Sequence, residues 1–289
     1  AHYVGVVETV DQIGAACARL LDDGFAYWVD TPDGEPDLYF DIAAGEELTP
    51  WYLGQESRLE RATMLQLSAE RGGDPERPGK RDPLDPLLWR SERTGEPAWD
   101  SPVGRGRPGW HIECSVIGSL HLNAPITLNG GGSDLVFPHH EMSAAHSAAL
   151  SGQNWAHSYT HAGMVAFQGE KMSKSLGNLV LVSNLVADGV DPRAIRLALL
   201  DHHYRSDWEW TDEDLTRATS RLHNWTVHYD ANDEGDSGLL NELRRALAAD
   251  LNTPEALARI DARVSAGVPL SASDHHAIDA LLGISLAPA

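Results

Sequence analysis

P-G-W-H-I-E-C at 108–114 and N-G-G-G-S-D-L-V-F-P-H-H at 129–140 bound the stretch on which the reading of this chain turns. It holds one of only two cysteines, three consecutive glycines and a His-His pair. Cys114 offers a thiolate and His139 an imidazole, ligand types that zinc prefers, and a catalytic zinc keeps one position open for water or substrate. A cysteine and a histidine this far apart are more often packing residues than ligands. Gly130, Gly131 and Gly132 permit close backbone approach and positive φ. Ser133 and Asp134 follow as hydrogen-bonding groups, and Pro138 fixes the entry to the histidines. The same run is compatible with a plain tight turn.

Working outward, residues 126–128 read as an apolar strand that leaves Gly130 to Asp134 at its carboxyl end, where open parallel sheets bind nucleotides. Residues 141–151 are small and helical, and 160–167 read as another core strand. K-M-S-K-S-L-G-N at 171–178 puts two lysines and two serines on a loop suited to a triphosphate, although such a loop is often merely solvated. Toward the amino end, Thr9 and Gln12 resemble a capping box before a helix whose buried stripe includes Cys17. T-P-D-G at 31–34 joins two strands as a hairpin. A charged helix is expected over 51–71, broken by E-R-G-G-D-P at 70–75, followed by a turn-rich, mobile connection. Residues 87–89 begin a buried strand. Everything after Asp191-Pro192 reads as helical, with His202 and His203 as packing residues rather than metal ligands.

Taken together and in this order, G-W-H-I-E-C, G-G-G-S-D-L-V-F-P-H-H-E and K-M-S-K-S-L-G-N resemble the second half of a cysteinyl-tRNA synthetase catalytic domain, a class I enzyme. The resemblance runs over about 9–257 and is strongest at 88–178. It implies an α/β Rossmann-like catalytic fold with a C-terminal helical bundle. The expected divisions are 1–105 (end of the first half and connective region), 106–180 (second half, with the zinc and K-M-S-K-S motifs) and 181–289 (stem-contact region and bundle). It implies ATP, with Mg2+, and L-cysteine as substrates. One Zn2+ would grip the cysteine thiol through Cys114, His139 and a third ligand outside this segment.

Trp110, otherwise a core aromatic, becomes an aromatic wall against the bound cysteine. Gly132, Ser133 and Asp134 face the adenylate, and Asp134 positions the cysteine ammonium or assists proton removal. Val165 meets adenine through its backbone, while Lys171 and Lys174 steady the departing pyrophosphate, with Lys174 the main contact. The family carries a glutamate four residues after its zinc histidine. Ser143 stands there, which predicts a more open metal face. H-I-G-H and the cysteine before it are not in this sequence, so the site is expected to be half a site.

The charge helps choose between branches. With 43 acidic and 22 basic residues, the formal net charge is -21, which opposes binding of a polyanion such as tRNA. Ser143, E-R-G-G-D-P, the extended K-M-S-K-S-L-G-N-L-V-L-V-S and the short carboxyl end favour the mycothiol-pathway cysteine ligases, which pass cysteine to the amine of glucosaminyl-inositol. The alternatives are a tRNA-charging enzyme and a silent synthetase paralogue serving as a binding module. No apolar run is long enough to span a bilayer, and two cysteines make no disulfide framework. The expectation is a cytoplasmic monomer with no membrane partner.

Overall fold

Val10, Ile13, Cys17 and Leu20 recur every three or four residues, and they form the buried face of helix α1 (Val10–Asp22) in the computed structural model. The structure describes residues 3–32, 34–173, 176–235 and 237–287. The expected capping box is not formed. The Thr9 hydroxyl instead donates to the carbonyls of Gly5 and Val6, at 3.1 Å each, finishing a preceding 3-10 turn. The chain divides into two units, Ala1–His161 and Ala162–Ala289.

In the first unit, β1 (Ala26–Thr31) and β2 (Gly34–Phe40) form the expected antiparallel hairpin. Helices α2 (Ile42–Leu48) and α3 (Arg61–Glu70) follow, and then β3 (Leu87–Ser91) and β4 (Gly106–Pro108) extend the sheet in the order β1-β2-β3-β4. Next come α4 (Trp110–His121), β5 (Asn129–Gly132), α5 (Glu141–Ser151) and β6 (Tyr159–Ala162), with β5 and β6 paired. Phe40, Trp51, Leu88, Trp89, Ile112, Phe137 and Met142 are buried in one core, each contributing about 1.5–3 kcal/mol by leaving water.

Four expectations are corrected here. The helix foreseen over 51–71 begins only at Arg61. The amides of Gly54 and Ser57 donate to the Glu141 carboxylate at 3.0 and 2.7 Å, which withdraws them from a helical ladder. The strand foreseen at 126–128 is displaced onto the glycines themselves, leaving Ile126 with a single parallel bridge to Ala156. The strand foreseen over 160–167 is broken at Gly163, where a Cβ would lie 2.1 Å from the Ser206 carbonyl oxygen. The 75–83 connection is pinned rather than loose. Lys80 reaches Asp74 at 3.0 Å and the Pro83 carbonyl at 2.7 Å.

In the second unit, β7 (Val165–Phe167) pairs antiparallel with β8 (Glu170–Lys171) and parallel with β9 (Trp208–Trp210). This places a strand where only helix was expected. Its cause is local: Trp208 and Trp210, two residues apart, share one face of the strand with ring centroids 6.0 Å apart, and Trp208 stacks on His202 with ring centroids 3.9 Å apart. His202 is thus a packing residue. Helices α6 (Val182–Ala187), α7 (Pro192–Leu200), α8 (Asp212–Val227), α9 (Leu239–Ala248), α10 (Thr253–Ser265) and α11 (Ala272–Leu282) complete the unit. Asp191 caps α7 by accepting from the Arg193 amide at 2.8 Å, with Pro192 at the first position. Thr211 with Asp214 and Ser271 with Asp274 form capping boxes. Leu197, Trp225, Leu243, Leu257, Ile260 and Ile278 close a separate core. Among the described residues, no helix is long and apolar enough to cross a membrane.

Candidate active site

Helix α4 opens on the W-H-I-E-C motif, so Trp110, His111 and Cys114 fall in its first two turns. Trp110 is half exposed and lies flat against the His139 ring, with centroids 4.5 Å apart and planes at 26°. The Nδ1 atoms of His111 and His139 stand 3.1 Å apart. One of them must donate and the other accept, so the pair is a neutral hydrogen-bonded dyad. Cys114 follows His111 by one helical turn, on the same side of α4.

The partner segment is shaped by glycine and by an arginine. A Cβ on Gly131 would meet the His140 ring at 2.8 Å and Leu135 at 3.0 Å, so only glycine lets β5 pass beneath that imidazole. Gly132 ends β5, and Ser133 and Asp134 form one 3-10 turn. Arg71, at the carboxyl end of α3, then clamps the loop. Its Nη1 donates to the Asp134 carbonyl at 2.6 Å and to the Phe137 carbonyl. Residues 136–140 run directly into α5, and His139 and His140 are both buried. Ser143, where the family's glutamate was expected, donates to the His111 carbonyl at 3.2 Å and ties α5 to α4.

Burial removes charge from this region. It drives His111 down to about 3 and His140 down to about 4, and it lowers His139. The His140 Nδ1 shares a 2.7 Å hydrogen bond with the His161 Nε2. His146, one face further along α5, is fully buried with neither ring nitrogen hydrogen-bonded, and its charged form is strongly disfavoured. Burial, with the Glu113 carboxylate second, holds the Cys114 thiol above its ordinary pKa. Glu113 and Glu56 are themselves pushed up to about 7 by burial. The imidazoles here are therefore uncharged and present lone pairs, the form in which histidine binds a metal. Among the described residues, no three His, Cys, Asp or Glu side chains are grouped to hold a metal ion.

The remaining expected residues lie in the second unit. Val165 opens β7 opposite Trp208, and Lys171 ends β8 opposite Ala166. Lys174 and Ser175 lie outside the described residues. Sequence reading missed His111, although it stands beside Trp110 in the motif. It also missed Arg71 and Glu141. Glu141 is completely buried and accepts from the Trp51 indole at 3.1 Å as well as from the Gly54 and Ser57 amides. Its place directly after the His-His pair was the available signal.

Residues 2–220 match the family described as tRNA synthetases class I (C) catalytic domain. The chain is 61% identical to L-cysteine:1D-myo-inositol 2-amino-2-deoxy-alpha-D-glucopyranoside ligases of Clavibacter sepedonicus and Clavibacter michiganensis subsp. michiganensis. Each likeness covers 98% of this chain, and 73% and 69% of those proteins. Among solved structures it resembles a methionyl-tRNA synthetase of Mycobacterium tuberculosis bound by methionyl-adenylate, with a TM-score of 0.54 and 14% identity over 91% of this chain and 65% of that one. A putative arginyl-tRNA synthetase of Campylobacter jejuni gives a TM-score of 0.54 at 15% identity over 99% of this chain and 63% of that one. These structures show the shared class I fold. The chain belongs to the class I (C) tRNA synthetase catalytic-domain family and, within it, to the L-cysteine:1D-myo-inositol 2-amino-2-deoxy-alpha-D-glucopyranoside ligases.

Proposed function

We propose that this protein joins L-cysteine to the amine of glucosaminyl-inositol in an ATP-dependent reaction, through a cysteinyl adenylate. The likeness to the two Clavibacter ligases, which runs through both units, is the observation that carries this reading. A cysteine carboxylate oxygen attacks the α-phosphate of ATP, and the bond to pyrophosphate breaks. The sugar amine then attacks the adenylate carbonyl, the bond to AMP breaks, and the nitrogen gives up a proton.

Cys114 and His139 are the residues of this chain that would hold a Zn2+ ion. The uncharged His139 imidazole offers a lone pair, and Cys114 would bind as the thiolate, giving up its proton to the metal. When bound, zinc would select cysteine by ligating its sulfur. Trp110, stacked on His139, walls the amino acid and excludes longer polar side chains. Gly132 and Ser133, at the end of β5, bring backbone close to the adenylate. Asp134, whose turn is fixed by Arg71, positions the cysteine ammonium or receives the amine proton. Val165 meets adenine, Lys171 and Lys174 steady pyrophosphate, and Mg2+ accompanies the ATP.

The test is pyrophosphate exchange by the complete protein with cysteine or serine, followed by AMP release on adding the aminosugar. Cysteine-dependent exchange and aminosugar-dependent AMP release are expected. Exchange that ignores cysteine, or AMP release that ignores the aminosugar, contradicts the proposal.

A further inference from the structure

Beside the imidazole cluster, within the first unit, lies a cavity of about 310 Å3. Its walls include Tyr39, Asp74, Arg77, Lys80, Arg90 and Trp110. We infer that this cavity is the acceptor subsite, taking a small uncharged polyol ring together with the aminosugar it carries. The inference rests on the ligase reading above and adds the place where the second substrate binds.

Three observations carry it. The first is position. Trp110 and His111 border the cavity and also form the edge of the imidazole cluster, so an occupant reaches the place where the amino acid is activated.

The second is charge. The lining is rich in cations, and most of them are held in ion pairs. Arg77 meets Asp37 at 2.8 Å, Lys80 meets Asp74 at 3.0 Å, and Arg90 and Arg107 share Glu96 at 3.0 Å each. Arg71 is turned onto two backbone carbonyls. An apolar ligand would leave the remaining hydrogen-bonding capacity of these groups unused. Paired charges offer what remains: leftover N–H groups and leftover carboxylate lone pairs, side by side. A sugar hydroxyl uses both, because one oxygen donates and accepts. The Tyr39 hydroxyl, hydrogen-bonded to Asp74 and to Arg77 at 2.8 Å, fixes the geometry of that set from below.

The third is size. The volume sits at the lower end of the roughly 300–1,000 Å3 typical of small-molecule sites, which fits a ligand of one or two rings. The exposed half of the Trp110 indole supplies a flat apolar surface for a ring face.

Asp74→Asn and Arg90→Ala, on different walls, test the assignment in the complete protein. Each should raise the KM for glucosaminyl-inositol by about tenfold, the loss of one charge-assisted hydrogen bond, with cysteine-dependent pyrophosphate exchange held within about twofold of wild type. Exchange needs no acceptor and so reports the fold and the adenylation site separately. An unchanged acceptor KM in both variants, or exchange falling in parallel with transfer in both, overturns the inference. Absence of aminosugar-dependent AMP release by the unaltered protein instead overturns the ligase reading on which it rests.

Discussion

Two regions meet at Trp110, and they treat charge in opposite ways. On one side His111, His139, His140 and His146 are all driven toward the neutral form by burial, and Glu56 and Glu113 are pushed up to about 7. On the other side Asp37, Asp74, Arg77, Lys80, Arg90 and Arg107 stand in ion pairs. Desolvation without a partner yields neutral lone pairs, and desolvation with one yields a fixed polar lattice. The first suits a soft cation and a thiol. The second suits hydroxyl groups. A ligase that joins a sulfur amino acid to a polyol needs both.

The largest expected effect breaks the neutral side. His139→Ala should lower cysteine-dependent pyrophosphate exchange by about a hundredfold or more, measured at saturating ATP. It should also lower the zinc content of the complete protein, read by elemental analysis. Exchange near the wild-type rate would remove His139 from the site.

Next is the carboxylate beneath that side. Glu141→Ala leaves the Trp51 indole and two amides without their acceptor. It should cost about 3 kcal/mol of unfolding free energy in a denaturant titration. A smaller effect is expected at the clamp. Arg71→Met frees the Asp134 and Phe137 carbonyls and should reduce kcat/KM for cysteine by about tenfold, with about 1 kcal/mol lost in stability.

The smallest effect concerns Glu56. Its folded pKa of about 7 lies above the ordinary carboxylate value, with burial the first cause and the Glu141 charge the second. The folded state therefore binds the proton more tightly than the unfolded state. The stability this contributes is full below about pH 4.5 and is lost as pH rises through 7. Glu56→Gln should flatten that slope and gain about 1 kcal/mol at pH 8, after allowance for partial solvent access. A variant that tracks wild type from pH 5 to pH 8 would contradict the neutral-side description.

What could be read before any coordinates was whatever depends on near neighbours. The α1 stripe, the β1–β2 hairpin, α5 and the Asp191-Pro192 start of α7 are set within a few residues, and each appears where the pattern put it. What escaped depends on distant partners. Residues 51–60 carry helical spacing, but their donors are claimed by Glu141, 84 to 90 positions away. His111 acquires its partner 28 residues on. The 71–80 segment is written as turns and charges, and only the fold brings Asp37 and Tyr39 against it. Motif order carried the family because motifs record chemistry. It could not record the ion-paired wall, whose members lie on three separate segments.

The most direct measurement offers the complete protein cysteine and ATP with both acceptors present, transfer RNA and glucosaminyl-inositol, and identifies the cysteinyl product by mass. The account predicts the cysteine amide of the aminosugar, with the RNA left uncharged. Cysteinyl-tRNA as the product, with the aminosugar recovered unchanged, would contradict it.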